Sequence, residues 1–381
     1  MNNDTAERPL RVLVLSWRDG DHPEAGGAEV YVERTSQLLS ARGHSVTLFS
    51  ASFPGAASSV VRGDVRIVRR GGRLTCYLRG LQYLRKVRHD VDVVIDVHNG
   101  VPFWAPFVSR APVVCLVHHV HRDQWPIVFG PVLGRVGWLV ESRIAPIAYR
   151  RCQYVTVSRA TQEDLAALGV DRDRIAITYS GNDIPSDLDS YEDVPDTAHP
   201  SLMVLGRLVP HKHFESAIDI VADLSDRFPG LTLDVVGGGY WGDELRAHAA
   251  ARGVSAQVRF HGFVDERTKH TLLARAWVVL LPSHKEGWGL TIVEAGLHGT
   301  PSVAFSFAGG VTESIVDDET GLLADDVRQM ATHVEHLLSD RALREKYGAN
   351  ARRHARSFSW ESTTRQLETA LEQAVSAHDR H

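Results

Sequence analysis

Two glutamates stand eight positions apart in a stretch that alternates apolar and Gly-rich segments, LPSHKEGWGLTIVEAGLHGTPSVA, residues 281–304. Glu286 lies in the Gly-rich turn, where the N-terminus of a following helix favours negative charge. Glu294 lies within the helical pattern that comes next. Both carboxylates can accept hydrogen bonds from sugar hydroxyls. Because most surface carboxylates have no specific role, a capped helix carrying two solvated acids is the alternative interpretation.

The elements around these glutamates form a recognisable unit. The apolar run 277–281 predicts a buried strand that stops at Pro282. The helical spacing after Gly289 predicts a helix that ends before Pro301, and 302–305 predicts the next strand. Strand, Gly-rich loop, helix and strand make the βαβ unit, in which the loop and the helix N-terminus hold a ligand at the carboxyl edge of a parallel sheet.

Arg207 and Lys212 form a second constellation, five positions apart, between a predicted strand over 202–206 and a predicted helix over 214–228. A forked guanidinium and a compact ammonium together suit a diphosphate. Their charge can stabilise a leaving nucleotide without a divalent metal ion. No convincing Asp-x-Asp metal motif stands at a strand end, so we predict no metal site. Two ordinary surface cations are the alternative interpretation.

Gly-rich loops follow several other predicted strands. Gly26 and Gly27 follow the first strand, and the remaining runs are 237–239, 262–264 and 308–310. Backbone amides beside glycine can approach an anion closely, although each run alone also fits a plain turn. The pattern G-x-G-x-x-G is absent after the first strand, which argues against a dinucleotide-dependent enzyme.

Three histidines, His118, His119 and His121, follow the apolar run 112–117. Adjacent residues of a strand point to opposite faces, so His118 and His119 are poorly placed to ligate one metal ion. His119 and His121 can share a face, but no third ligand is evident. A polar or structural role for His118 remains the alternative to a role in a site.

The segment 122–151 combines many large apolar residues with five arginines, and three prolines interrupt it. Helices that pack on the sheet are the first interpretation. An apolar surface rich in arginine can also cover an acceptor, form a dimer face or contact anionic lipid as a peripheral membrane surface.

Composition limits the function classes. The chain has 381 residues and a net charge of −5, which disfavours a nucleic-acid partner. Three widely spaced cysteines predict buried free thiols in a reducing cytoplasm. Neither a signal peptide pattern nor an apolar stretch long enough to span a membrane is present. Arginine far outnumbers lysine, which suggests a GC-rich bacterial genome and makes each of the five lysines worth inspecting.

Strands alternate with helices in both halves, which predicts an α/β protein of two Rossmann-like domains. We expect an N-terminal domain over 1–183 and a C-terminal domain over 184–359, joined by a polar linker that runs to Pro200. A last helix lies within 360–381.

The chain resembles the retaining family 4 glycosyltransferases, which have the GT-B fold of two Rossmann-like domains facing each other across a cleft. Their donor motif, E-G-F-G-x-x-x-x-E-A, matches Glu286 to Glu294, with Trp288 where Phe is commoner. Their pattern G-R-x-x-x-x-K matches Gly206, Arg207 and Lys212. The resemblance covers nearly the whole chain, and its specific motifs concentrate between residues 200 and 325.

This resemblance implies roles for single residues. It implies that Glu286 contacts the transferred sugar, that Arg207 and Lys212 hold the diphosphate, and that His118 lies near the donor sugar; we take these four as the catalytic candidates. It implies that Glu294 contacts the nucleotide ribose and that the Gly26 loop faces the interdomain cleft. It also implies that the last helix packs back on the N-terminal domain. The full set of donor-binding candidates is Gly26, Gly27, Gly206, Gly238, Phe263, Val264, Gly287, Trp288, Gly289, Leu290 and Glu294.

The function predicted in this way is a retaining, metal-independent transfer of a sugar from a nucleoside diphosphate sugar to an acceptor hydroxyl. No cofactor is expected besides that co-substrate. An epimerase or a sugar phosphorylase of the same fold is the alternative enzyme, and a non-catalytic nucleotide-binding module is the alternative outside catalysis. The donor base, the sugar and the acceptor stay open, because base contacts in this fold are largely made by backbone.

Overall fold

A computed structural model describes residues 8–191, 194 and 197–380. The chain divides into two compact units: unit 1 comprises Met1–Tyr179 and Trp360–His381, and unit 2 comprises Ser180–Ser359. Residues 180–183, which the sequence assigned to the first domain, group with unit 2. The reason is local, since the Asn182 side chain donates to the Val293 carbonyl at 2.9 Å and its backbone N–H donates to the Phe358 carbonyl at 3.2 Å.

Unit 1 contains an eight-stranded sheet in the order β3-β4-β2-β1-β5-β6-β7-β8. All neighbouring strands are parallel except the edge pair β3 and β4. The central strands are continuous apolar runs because helices cover both faces of a parallel sheet. The strands are β1 Arg11–Leu15, β2 Ser45–Ser50, β3 Ser59–Arg62, β4 Val65–Arg69, β5 Val93–His98, β6 Val113–Val117, β7 Gln153–Thr156 and β8 Ile175–Ile177.

The helices of unit 1 lie between these strands, with a last one from the C-terminus. Ser158 begins α5 as the sequence predicts, since its side-chain oxygen accepts a hydrogen bond from the Thr161 N–H. The helices are α1 Gly27–Ala41, α2 Cys76–Val87, α3 Gln124–Leu139, α4 Ala145–Ala148, α5 Arg159–Ala167 and α13 Trp360–His378, with a π-helical turn at Val140–Ile144.

Unit 2 contains a six-stranded sheet in the order β11-β10-β9-β12-β13-β14, parallel throughout. Its strands are β9 Ser201–Leu205, β10 Thr232–Val236, β11 Val258–Gly262, β12 Val278–Leu281, β13 Ser302–Phe305 and β14 Gly321–Ala324. Its helices are α6 Phe214–Leu224, α7 Gly242–Ala251, α8 Glu266–Arg275, α9 Leu290–Leu297, α10 Val311–Ser314, α11 Val327–Ser339 and α12 Arg341–Ala355. The alternation of strand and helix predicted for both halves is confirmed.

Each sheet has one point where the strand order changes direction. In unit 1, β1 lies between β2 and β5; in unit 2, β9 lies between β10 and β12. Loops that leave the carboxyl ends of two such strands diverge and leave a crevice, where parallel α/β sheets bind their ligands. The topology therefore puts the loops after β9 and β12 at the ligand-binding edge of unit 2.

The last helix, α13, packs within unit 1. The Glu368 carboxylate lies 2.7 Å from His44 Nε2 and accepts from Arg42 Nε at 2.6 Å. Leu367 and Leu371 are fully buried beside them. A segment that follows unit 2 in sequence thus completes the core of unit 1.

The first interpretation of 122–151, core helices packed on the sheet, holds for its inner residues, such as Trp138 and Tyr149, and is wrong for most of its large apolar residues. Most of its large apolar side chains are exposed, and Val132 is 71% accessible to solvent. The inner side of α3 is already filled by its own Trp125, which is buried against Gly137. The apolar residues of the outer side therefore have no protein surface of unit 1 to cover.

All three cysteines, Cys76, Cys115 and Cys152, are buried and free, as predicted. Burial raises the pKa of the Cys76 thiol to about 11, so this thiol stays protonated. Within the described ranges, every helix is too short or too polar to cross a membrane.

Candidate functional site

Lys212 and Glu286 meet at the carboxyl edge of the unit 2 sheet. Lys212 ends the short turn Pro210–Lys212 after β9, and Glu286 lies in the loop after the neighbouring strand β12. The Lys212 Nζ lies 2.5 Å from the Glu286 Oε1, and each side chain is less than one-fifth exposed. Burial alone would raise the pKa of Glu286, but the ammonium of Lys212 outweighs it and the pKa is lowered. The Glu286 carboxylate is therefore ionised at neutral pH.

The loop after β13 fixes the backbone on either side of Glu286. The Glu286 N–H donates to the Ala308 carbonyl at 2.8 Å, and the Gly310 N–H donates to the Glu286 carbonyl at 3.1 Å. A Cβ at Gly310 would stand 2.0 Å from the Gly287 carbonyl oxygen. Only glycine permits this approach, so the Gly-rich runs of the two loops hold the carboxylate in place.

Glu294 has a lysine partner that the sequence analysis did not identify. Glu294 lies on α9, and its Oε1 is 2.8 Å from the Nζ of Lys269 on α8. Lys269 also lies 2.7 Å from Glu266. Burial lowers the pKa of Lys269, but the two carboxylates outweigh it and the pKa is raised. The scarcity of lysine was the one signal that could have pointed to it.

The ends of β9 and β10 are joined closely by glycines. The Gly206 N–H donates to the Val236 carbonyl at 3.0 Å, and a Cβ at Gly237 would stand 2.0 Å from the Gly206 carbonyl oxygen. Arg207 follows directly and is half-buried. The Gly237 N–H donates in turn to the Gly262 carbonyl at 2.8 Å, so backbone hydrogen bonds join the ends of the three strands.

Phe263 presents an aromatic surface at the same edge, after β11. Its side chain is 74% exposed, and a Cβ at Gly238 would stand 2.4 Å from its ring. The ring therefore covers the Gly238 backbone. Val264, by contrast, packs into the apolar cluster under β9 and β10 with Met203, so its side chain lines the core.

The Trp288 side chain points away from this edge. It is 3% exposed and packs edge-on against Phe358, with ring centroids 4.8 Å apart. Contacts from Gly287, Trp288 and Gly289 to a ligand can therefore come only from their backbone. Gly289 has a φ of +91° and leads into α9 at Leu290, a conformation that favours glycine.

In unit 1, Gly26 and Gly27 start α1 on a rigid loop. The Gly26 N–H donates to the Glu29 Oε2 at 2.8 Å, which caps the helix. The other carboxylate oxygen of Glu29 accepts from the Arg18 Nε at 3.0 Å, and both side chains are buried. Arg18 was not predicted, and it fixes the conformation of the glycine loop from below.

His118 follows β6 and is buried against α1. Its ring lies edge-on to Tyr31 at 5.2 Å, and its carbonyl accepts from Thr161 Oγ1 at 3.1 Å. Its Nε2 has no hydrogen-bond partner among the described residues. Burial, with a smaller contribution from His121, lowers the pKa of His118 to about 4. The imidazole is thus neutral at physiological pH.

The neighbouring histidines have polar partners. The rings of His119 and His121 lie 4.2 Å apart, and the His121 Nδ1 is 2.9 Å from the Glu141 carboxylate. His119 Nε2 lies 3.2 Å from the Gln124 side-chain oxygen. In the described part of the chain, no group of three or more His, Cys, Asp or Glu side chains is arranged to hold a metal ion.

Two family models match the chain in succession. The model of Glycosyltransferase Family 4 matches residues 25–184, and that of Glycosyl transferases group 1 matches residues 192–354. The chain belongs to the family 4 glycosyltransferases. The matched ranges contain every site residue that the sequence analysis predicted, so the ion pairs of unit 2 belong to a glycosyltransferase.

Several proteins are similar to this chain over more than nine-tenths of its length. A D-inositol 3-phosphate glycosyltransferase of Corynebacterium efficiens is 28% identical over 93% of this chain and 92% of its own length. Sucrose-phosphate synthase of Thermosynechococcus elongatus superposes with a TM-score of 0.81 at 19% identity, over 97% of this chain and 100% of its own. Anabaena HepE, solved in complex with UDP-glucose, superposes with a TM-score of 0.74 at 20% identity. The match covers 96% of this chain and 100% of HepE.

These findings establish the fold and the class of the enzyme. The fold is GT-B, with two parallel-sheet α/β domains, and the activity is glycosyl transfer. The relatives give no support to the epimerase alternative. In this glycosyltransferase, the second unit brings together two lysine–carboxylate pairs, an arginine and glycine-lined strand ends, whereas Gly26, Gly27 and His118 lie in the first unit.

Proposed function

We propose that this glycosyltransferase takes its sugar from a nucleoside diphosphate sugar bound at the carboxyl edge of unit 2. The sugar passes to a hydroxyl of an acceptor bound by unit 1, with retention of the anomeric configuration and without a divalent metal ion. The observation that carries the proposal is the Lys212–Glu286 pair, a partly buried ammonium and carboxylate 2.5 Å apart on neighbouring strand-end loops.

The pair is well suited to exchange partners when the donor arrives. A diphosphate carries more negative charge than one carboxylate, so the Lys212 ammonium gains by moving to it. Glu286 then becomes free to accept a hydrogen bond from a hydroxyl of the donor sugar. Both side chains are shielded from water, which makes these charge interactions stronger than at an open surface.

Metal independence follows from where the positive charge lies. Arg207 and Lys212 supply two cationic groups to the same loop, and Gly206 and Gly237 have no side chain that would keep a phosphate away from it. These groups take the role that a divalent cation has in other transferases, which is to stabilise the charge on the departing diphosphate.

Retention is proposed from membership of family 4, with which a retaining mechanism is consistent. Glu294 is paired with a lysine, and Glu286 is proposed to accept a hydrogen bond from a sugar hydroxyl, so neither is assigned the role of nucleophile. In the reaction we propose, the anomeric carbon–phosphate oxygen bond breaks as the acceptor oxygen bonds to the anomeric carbon on the same face. The acceptor proton passes to the departing phosphate oxygen. Arg207 and Lys212 stabilise the charge that develops there.

We place this reaction in the cytoplasm. The three cysteines are buried free thiols, which suits a reducing compartment. A nucleotide sugar as co-substrate would be supplied in the same compartment. HepE, which shares the fold, holds UDP-glucose in its crystal structure, and that complex supports a nucleotide-sugar donor for this chain too.

The test is a transfer assay in EDTA with wild-type protein and the variant Lys212→Met. Release of nucleoside diphosphate from UDP-, GDP-, ADP- and dTDP-sugars is measured with a panel of acceptor alcohols, and NMR gives the anomeric configuration of the product. We expect acceptor-dependent turnover in EDTA, and a fall of roughly 10²–10³-fold in kcat for the variant. Lys346→Met, an exposed lysine on α12, is the matched control. Full activity of Lys212→Met, or inversion in the product, would refute the corresponding part of the proposal.

A further inference from the structure

An apolar surface stands out in unit 1, on the segment 127–147. Of the twenty large hydrophobic side chains that are exposed in the described part of the chain, nine lie within these 21 positions, each between 42% and 71% accessible. Single exposed apolar residues are ordinary, but a contiguous group on one segment marks an interaction surface. The nine are Ile127, Val128, Phe129, Val132, Leu133, Val136, Leu139, Ile144 and Ile147.

The local fold explains why these residues stay outside. Helix α3 is interrupted at Gly130, with a φ of +73° and a ψ of 174°, so the segment folds back as a helical hairpin. The hairpin closes on Trp125, because a Cβ at Gly137 would stand 2.3 Å from the indole ring. Small residues thus line the inner side and large apolar residues the outer side.

The hairpin is held firmly from its inner side. The indole Nε1 of Trp125 donates to the Glu141 Oε2 at 2.7 Å, and the same carboxylate accepts from the His121 N–H at 3.1 Å. Ser142 donates to the Trp138 carbonyl at 2.5 Å. A surface fixed in this way presents its apolar residues as a preformed face.

Positive charge surrounds that face. Five exposed arginines lie within 122–151, against two acids, of which Glu141 is turned inward. The segment therefore carries +3 in a chain whose net charge is −5. Arg73, before α2, lies 6.0 Å from the Phe129 ring and adds to the same side. The five arginines are Arg122, Arg135, Arg143, Arg150 and Arg151.

We propose that this outer face, residues 122–151, docks onto a bilayer surface that contains anionic lipid. Apolar side chains enter the boundary between headgroups and acyl chains, while arginines bind the negative headgroups. A second copy of the chain is a poorer occupant, because a two-fold dimer would set the same five arginines against each other. The docking goes beyond the transferase reaction and is tested without any donor. Failure of the docking proposal and failure of the proposed function can therefore be told apart.

The experiment is flotation of the full chain with vesicles of phosphatidylcholine, alone or with roughly 30 mol% phosphatidylglycerol. We expect the protein to float with the anionic vesicles and to be released by high salt, because screening weakens the attraction. Absence of binding to the anionic vesicles would overturn the proposal, and so would equal binding to neutral ones.

The apolar part of the surface is tested with the double variant Val132→Ser/Val136→Ser. Its matched control is Val61→Ser, a valine that is 72% exposed on β3 of the same unit. We expect partition onto anionic vesicles to fall about 10-fold or more in the double variant and to change less than about 2-fold in the control. Circular dichroism melting checks that both proteins are folded.

The cationic part is tested with Arg135→Gln/Arg143→Gln. Arg259→Gln/Arg328→Gln removes the same charge from exposed positions of unit 2 and serves as the control. We expect the first pair alone to reduce binding about 10-fold and to lower its salt dependence. Sedimentation equilibrium runs alongside: a dimer that dissociates in the Val132/Val136 variant, with no vesicle binding, would assign the face to a second copy and refute the proposal.

Discussion

At the scale of single residues, each carboxylate of the donor motif is held by a lysine. Glu286 is paired with Lys212, and Glu294 is paired with Lys269. The first pair joins two motifs that the sequence already singled out. The second joins a motif residue to a helix 25 positions earlier, which no local spacing reveals. Side-chain pairing between elements depends on the sheet order, and that order becomes known only with the structure.

Removing Lys269 is predicted to weaken nucleotide binding. In Lys269→Met, Glu294 loses its partner in a partly buried place, so the orientation in which we expect it to meet the nucleotide ribose is no longer fixed. We expect the affinity for the nucleoside diphosphate to fall about 10-fold, with kcat much less affected. Titration calorimetry measures it, with Lys346→Met as the control. Equal affinities of the two variants would show that Lys269 does not position Glu294.

His118 is predicted to link stability to pH. Its pKa is about 4 in the folded protein against an ordinary value of 6.5, so between these values the unfolded chain binds a proton here and the folded chain does not. The contribution of this group to the free energy of unfolding is fully present above pH 6.5. It is lost as the pH falls to about 4, and its size is roughly 3 kcal/mol.

The measurement is urea unfolding of unit 1 at several pH values, for wild type and His118→Gln. The variant lacks the titrating group, so its stability should decline less steeply between pH 6.5 and pH 4. Parallel curves for the two proteins would mean that His118 titrates equally in both states and is not the buried neutral group described here.

At the scale of elements, glycines at strand ends decide how closely the loops of the proposed donor site approach each other. Gly237 has a φ of +120°, and a Cβ there would stand 2.0 Å from the Gly206 carbonyl. This close contact explains why position 237 requires glycine. The sequence alone could not show it, since a Gly-rich run fits a plain turn equally well.

Gly237→Ala is therefore predicted to damage both stability and donor binding. The backbone must separate to relieve the clash, which we expect to cost about 2–4 kcal/mol in unit 2. The control is Gly253→Ala, with a φ of +76° but no atom within 4 Å of the added Cβ, for which about 1 kcal/mol is expected. Chemical unfolding and nucleotide titration compare the two; similar losses would mean that the close contact is unimportant.

Hydrophobic patterning predicted the elements beside the motifs well. The strand expected over 277–281 is Val278–Leu281, and the helix after Gly289 is Leu290–Leu297. The same reasoning failed for 122–151. An apolar helical pattern indicates burial only when another part of the protein covers the apolar face. In this segment, Trp125 and the inner glycines of α3 pack against each other on the inner side. Such packing leaves no periodic pattern in the sequence.

At the scale of the whole molecule, the chain leaves unit 1, builds unit 2 and returns. The returning helix α13 contributes Leu367 and Leu371, and its Glu368 pairs with His44. The sequence places this helix last but does not say which sheet it covers. The family resemblance supplied that expectation, and the contacts of Glu368 with His44 and Arg42 give its physical basis.

Truncating a buried leucine of α13 is predicted to destabilise unit 1, although unit 2 separates α13 from the rest of unit 1 in the sequence. In Leu371→Ala, the lost packing should cost about 2–5 kcal/mol in unit 1. Hydrogen exchange should quicken in α1 and the central strands of that unit, while unit 2 keeps its protection. Leu337→Ala on α11, equally buried, is the reciprocal control and should loosen unit 2. Loss of protection in unit 2 from Leu371→Ala would contradict this assignment.

The most direct test of the central claim, that unit 2 holds a nucleoside diphosphate through Lys212 without a metal ion, is a thermal-shift titration in EDTA. UDP, GDP, ADP and dTDP are each added to wild type and to Lys212→Met. A ligand that binds the folded state raises Tm by mass action. We predict that one nucleotide raises the Tm of the wild type in EDTA and that the variant needs at least about 10-fold more of it for the same shift. No shift with any nucleotide, or equal shifts in the two proteins, would contradict the account.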